Sequence, residues 1–136
     1  DCCCIRPDIY DFAKARVEAG CAPTYCYLFT PILKLNDGTT SSHSTDISFI
    51  FNNVDMLPST DLDGKEHDIQ YEMAGRLIEF AKTGFPQLDS RAVWHPVTKE
   101  VTPTMIFDIK TEERNDFDKE LMVEMGKIKK FKLIVG

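Results

Sequence analysis

The segment Thr24-Tyr25-Cys26-Tyr27-Leu28-Phe29, bounded by Pro23 and Pro31, constrains this chain more than any other feature. Its aromatic and aliphatic residues run almost without polar alternation, the pattern of a strand buried on both faces, as in a parallel sheet. Such a strand needs neighbours on either side. Only one other segment, Thr104-Met105-Ile106-Phe107-Asp108-Ile109, reads as a good strand. The expected sheet lacks most of its strands, so the residues point to an α/β fold that is incomplete on its own.

Helical periodicity fills much of the remainder. Pro7 to Ala19 reads as a helix, with Pro7 in the first turn, Asp8 and Asp11 at the positive end and Gly20 as the stop. Ile9, Phe12, Ala13 and Val17 follow helical spacing there, with Arg16 as a polar exception. Ile32 to Ser42 reads as a polar loop containing an Asn36-Asp37-Gly38 turn. A short helix is expected next, capped by Ser44 or Thr45, with Ile47, Ile50 and Phe51 turned inward. After an Asp-rich loop from Asp55 to Glu66, Asp68 to Lys82 is the clearest helix. Ile69, Met73, Ala74, Leu77, Ile78 and Ala81 form its apolar stripe, and Gly84 and Pro86 end it. A last helix from Asp116 onward is expected to bury Phe117, Leu121, Met125 and Ile128.

Charge and composition exclude several function classes. The net charge of −6 over 136 residues argues against general nucleic-acid binding, which needs a Lys/Arg-rich face. The short basic run from Lys127 to Lys132 reads as a solvated helix face. No stretch approaches the roughly 18 consecutive apolar residues of a spanning helix, so no membrane span is expected. The five cysteines, Cys2, Cys3, Cys4, Cys21 and Cys26, form neither a regular disulfide framework nor zinc-ligand spacing. They read as free thiols in a reducing setting, which leans towards the cytoplasm and leaves localisation open; a redox or metal site at the cysteine triplet is the lesser alternative.

The chain contains no G-x-S-x-G elbow, Gly-rich phosphate loop or H-E-x-x-H helix. Of its three histidines, His43 is distinctive, because it follows a loop leaving the buried strand and precedes a short helix. Loops at strand ends are where α/β folds place reacting groups. By residue pattern alone it is either such a group or an exposed loop histidine. His67 reads as a surface residue at a helix start, and His95, between Trp94 and Pro96, as a packing residue. Ser41, Ser42 and Ser44 lie on no strand-to-helix elbow and read as loop and cap residues. For Phe49, Phe51 and Trp94, core packing is the stronger reading over a role in lining a pocket.

The run Tyr25-x-Tyr27-x-Phe29, then Ser42-His43-Ser44-Thr45-Asp46-Ile47 and Phe49-x-Phe51, resembles the type-B carboxylesterase and cholinesterase family around its catalytic histidine. Phe80-Ala81-Lys82-Thr83-Gly84-Phe85-Pro86, Trp94 followed by Pro96, and Thr104 to Asp108 are similar to family segments in the same order. The chain departs in the extra His95 and in Thr-Ser-Ser before His43. The resemblance implies that residues 1–136 are the C-terminal segment of a single α/β-hydrolase domain, whose missing N-terminal part would be the partner. It also implies that His43 is the triad histidine, exchanging a proton between serine and leaving alcohol in hydrolysis of a small carboxylic ester, with no cofactor or metal. Asp46 matches an acidic family position, for which the resemblance implies a supporting polar role, the triad acid lying upstream; a first-turn helix acid is the equal alternative. By itself the segment is expected to be inactive. The rivals are a catalytically dead binding or adhesion protein on the same fold, and a self-sufficient small module.

Overall fold

The computed structural model describes residues 6–34, 38–41, 43–89 and 91–127. Strand β1 (Cys26–Phe29) pairs in parallel with β4 (Pro103–Phe107), Cys26 opposite Thr104 and Phe29 opposite Phe107. A further strand, β5 (Glu112–Asn115), adds antiparallel to β4, giving the order β1-β4-β5. Between β1 and β4 come a two-residue ladder of β2 (Ile32–Leu33) with β3 (Thr39–Thr40), the one-turn helix α2 (Ile47–Ile50), two 3-10 turns and the long helix α3 (Glu66–Thr83).

The alternation of β1 divides the molecule into layers. Phe29, with Met105 and Phe107 of β4, faces a core built with Phe49, Val54, Ile69, Met73 and Trp94, which brings α2 and α3 onto one side of the sheet. Cys26 faces the other side, where it packs with Ala13 of α1 (Arg6–Glu18) and with Val97. Helix α4 (Lys119–Lys127) is joined to α1 where buried Arg6 Nε meets the partly buried Asp118 Oδ2 just before it. Helices on both faces of a sheet with a parallel pair make this an α/β fold.

Helix α3 begins at Glu66, two residues before the expected start. Glu66 folds its carboxylate back onto the amides of Leu62 (2.9 Å) and Gly64 (3.0 Å), donors that the turn leaves unpaired, and those bonds hold its pKa below the ordinary value. It ends as the pattern requires, with Gly84 left-handed at φ 80° and its amide on the Phe80 carbonyl. From the middle of α3, buried Arg76 donates to Glu72 (2.8 Å) and to the carbonyls of Pro86 (3.0 Å) and Ala92 (2.8 Å). That guanidinium ties the loop carrying Trp94 to the helix.

Several sequence expectations fail for identifiable reasons. Strand β1 is covered on both faces but incompletely: Tyr27 is 38% exposed, and β1 has a neighbour on one edge only among the described residues. The strand expected over 104–109 stops at Phe107, because Asp108 turns its carboxylate to Thr30 and to the Ile109 amide. Helix α1 turns Arg6, Tyr10 and Ala13 inward and leaves Ile9 and Phe12 exposed, since Arg6 and Tyr10 both bond Asp118. In α2, neither Ser44 nor Thr45 is the cap; the N-cap is Asp46, the buried residues are Ser48 and Phe49, and Phe51 is 71% exposed. The apolar stripe of α3 is buried only through Ala74, with Leu77 and Ile78 exposed. Helix α4 starts at Lys119 and buries Met122, while Phe117 and Leu121 are exposed; Ile128 lies outside the described residues. Strand β5 and the β2/β3 ladder fall where a loop or no element was expected.

Candidate functional site

Among the described residues no group of three or more His, Cys, Asp or Glu could hold a metal ion, and no helix is long and apolar enough to cross a membrane. Cys21 is exposed and Cys26 buried, both free; burial pushes the Cys26 thiol up from its ordinary pKa. Cys2, Cys3 and Cys4, the Asn36 and Asp37 of the expected turn, and Ser42 lie outside the described residues.

His43 sits on the connection that leaves the C-terminal end of β1 and enters α2. It is exposed, and among the described residues its ring makes no hydrogen bond or ion pair. The backbone on both sides is anchored. Two residues earlier, Ser41 Oγ donates to the Pro31 carbonyl at 2.6 Å, next to the end of β1. Immediately after His43, Ser44 takes the left-handed conformation at φ 71°, which a residue with a Cβ adopts only when its surroundings hold it there.

Asp46 closes this turn. Its backbone is helical, and its carbonyl accepts the amides of Phe49 (3.1 Å) and Ile50 (3.0 Å). Its carboxylate caps nothing, although it occupies the N-cap; Oδ2 accepts instead from the Tyr27 hydroxyl at 2.6 Å. Tyr27 is the residue that sequence reasoning did not single out. Its ring meets Trp94 and Phe107 edge-on, at centroid distances of 6.4 and 5.7 Å, and burial together with the Asp46 carboxylate raises its pKa, so that the hydroxyl stays a donor. A tyrosine in a strand facing the core needs a hydroxyl partner, and that requirement is the signal that could have found the pair.

The other histidines lie elsewhere. His67, exposed at the start of α3, is 3.4 Å from Asp55. His95 is not the packing residue expected: it is exposed, its Nδ1 lies 2.9 Å from Glu113, and its amide donates to the same carboxylate. Trp94 is core as expected, its indole N–H bonding the Cys26 carbonyl at 3.1 Å, and so is Phe49, tilted on Phe29 at 4.8 Å. Phe51, by contrast, faces solvent. An apolar cavity of about 340 Å³ lies between β1 and α3, lined by Tyr25, Tyr27, Met73, Leu77, Phe80 and Trp94 among others. His43 is not in its wall.

Comparison with known proteins bears on this arrangement. Solved structures similar to the chain include an esterase from the anaerobe Clostridium hathewayi described as hydrolysing aliphatic aromatic polyesters, at 29% identity and a TM-score of 0.79 over 86% of this chain. A PNB esterase (24%, TM-score 0.71, over 84% of this chain) and the carboxylesterase of Geobacillus stearothermophilus (19%, TM-score 0.69, over 83%) share the fold. The chain spans 23% of the length of each of these three. No curated protein sequence matches it. The sequence profile of the Carboxylesterase family matches residues 3–125, and the chain belongs to that family.

Proposed function

We propose that residues 1–136 are the C-terminal segment of a single α/β-hydrolase domain, and that within the complete protein His43 is the general base and acid of a serine ester hydrolase. The observation that carries this reading is the setting of His43: an exposed imidazole, unpartnered among the described residues, on the connection that leaves the C-terminal end of a parallel strand, with the backbone anchored on both sides. Family membership supports the chemistry, and the absence of a G-x-S-x-G in the sequence is what a chain holding only the last triad member would have.

In this reading His43 accepts the proton of a serine supplied by the rest of the protein as the serine oxygen attacks the ester carbonyl. The imidazolium then protonates the departing alcohol. In the second half His43 takes a proton from water as the water oxygen attacks the acyl-serine carbonyl, and it returns that proton to the serine oxygen as the bond to the acyl group breaks and the acid departs. An imidazole suits both transfers because its unperturbed pKa of about 6.5 lies near neutrality. Asp46, committed to Tyr27, supports the turn rather than serving as the triad acid, which would come from an upstream loop.

The test is hydrolysis of a p-nitrophenyl ester by three samples: the complete protein, its His43→Ala variant and the 136-residue chain. The complete protein turns over, while His43→Ala loses on the order of 10⁴- to 10⁶-fold in kcat and the chain, lacking a nucleophile, shows no turnover. A His43→Ala variant within tenfold of the parent, or His43-dependent turnover by the chain alone, overturns the proposal.

A further inference from the structure

We infer that Tyr27 is a positioning residue for His43, acting through the hydrogen bond between its hydroxyl and the Asp46 carboxylate. The inference rests on His43 being the general base. A base must be held within a fraction of an ångström of its proton donor, and His43 stands on a connection rather than on a regular element. What fixes it must come from residues either side. The left-handed Ser44 turns the backbone sharply just after His43, and the Ile47 amide reaches the Ser44 carbonyl at 3.3 Å.

A further restraint comes from the sheet. An aspartate at an N-cap ordinarily bonds the amides of its own first turn, whereas Asp46 spends its carboxylate on a residue 19 positions earlier in the chain. The donor is itself rigid, because the Tyr27 ring is held edge-on by Trp94 and Phe107, both buried. The path from core to imidazole therefore runs through two aromatic contacts, one hydrogen bond and three residues of backbone. Ser41 on the Pro31 carbonyl supplies the second anchor from the other side. With the hydroxyl removed, α2 keeps its hold on the core through Phe49, but the turn between His43 and Asp46 loses its tie to β1.

The experiment is steady-state hydrolysis of a p-nitrophenyl ester by the complete protein and its Tyr27→Phe, Asp46→Ala, Asp46→Asn, Tyr27→Phe/Asp46→Ala and His43→Ala variants. Tyr27→Phe deletes one oxygen and keeps the ring in place, so the fold is preserved. It lowers kcat about ten- to a hundredfold with KM within about twofold, the pattern of a misplaced base rather than of weakened substrate binding. Asp46→Ala falls to the same level, and the double variant falls no further, because both remove one bond. Asp46→Asn recovers most of the activity, since its amide oxygen still accepts the Tyr27 proton; a triad acid would not be rescued in this way. If His43→Ala abolishes turnover while Tyr27→Phe keeps kcat within twofold, the positioning role is wrong and the base assignment stands. If His43→Ala leaves turnover intact, the base assignment fails, and this inference with it.

Discussion

Replacing Arg76 by methionine removes a guanidinium that is completely buried and bonded on three sides, to Glu72, to the Pro86 carbonyl and to the Ala92 carbonyl. The methionine fills similar volume, so the cost falls on the groups left behind. Glu72, itself buried, would keep among the described residues only Arg91, whose Nη1 lies 3.3 Å away on a half-exposed side chain, and two carbonyls would lose these donors. Breaking a buried ion pair from one side costs about 3–5 kcal/mol. With a urea dependence of roughly 2 kcal/mol per molar for a chain of this size, the unfolding midpoint falls by about 2 M. Trp94 is the sole tryptophan and lies two residues from Ala92, so its emission follows the loop that Arg76 holds. The double variant Arg76→Met/Glu72→Met leaves no buried charge without a counter-ion, and it should regain at least about 1 kcal/mol, the residue of the loss coming from the two carbonyls. If the double variant is as unstable as the single, or if the single loses less than about 1 kcal/mol, an uncompensated buried charge is not what holds this loop.

Phe49→Ala, at a fully buried ring packed on Phe29, should lower stability by about 3–5 kcal/mol in urea titration, whereas Phe51→Ala, three-quarters in solvent, should change it by less than about 0.5 kcal/mol. Because the amides of Leu62 and Gly64 depress the folded pKa of Glu66, its contribution is present above the unfolded value and is lost as pH falls through the folded one. The stability difference between the parent and Glu66→Gln should therefore be larger at pH 7 than at pH 3, and a difference independent of pH would contradict the assignment. In a chain with Cys2, Cys3 and Cys4 replaced by serine, a chromogenic disulfide reagent at pH 8 should label Cys21 at once and Cys26 only on unfolding.

How much of this was legible depends on whether a residue's environment is set locally. The α3 helix and its glycine stop follow from spacing and backbone sterics alone, and both are found. The parallel β1/β4 pair was legible because an unbroken apolar run has few other homes. Strand β5 was not: Glu-Glu-Arg-Asn carries no apolar period, and it is a strand because β4 offers it a ladder. The inward face of α1 was misread for a similar reason. Arg6 and Tyr10 are drawn in by Asp118, more than a hundred residues away, and helical spacing holds no trace of such a partner. At the candidate site the position of His43 was legible from its place after the strand, while the role of Tyr27 required knowing that Asp46 turns away from its own helix.

The two edges of the sheet are unlike, and this gives the fold a direction of growth. On the β5 side, Glu112, Glu113 and Arg114 present charges that would stand opposite those of any added strand, and Lys110 and Arg114 already neutralise Glu112 from the same edge. On the β1 side the outermost strand is Cys-Tyr-Leu-Phe, with no charge along its length. A polypeptide that extends this sheet meets a charged edge and an uncharged one. Among the described residues, an added strand meets no charge beyond β1 and meets Glu112 and Arg114 beyond β5, so the charged hairpin of β4 and β5 disfavours growth on its own side.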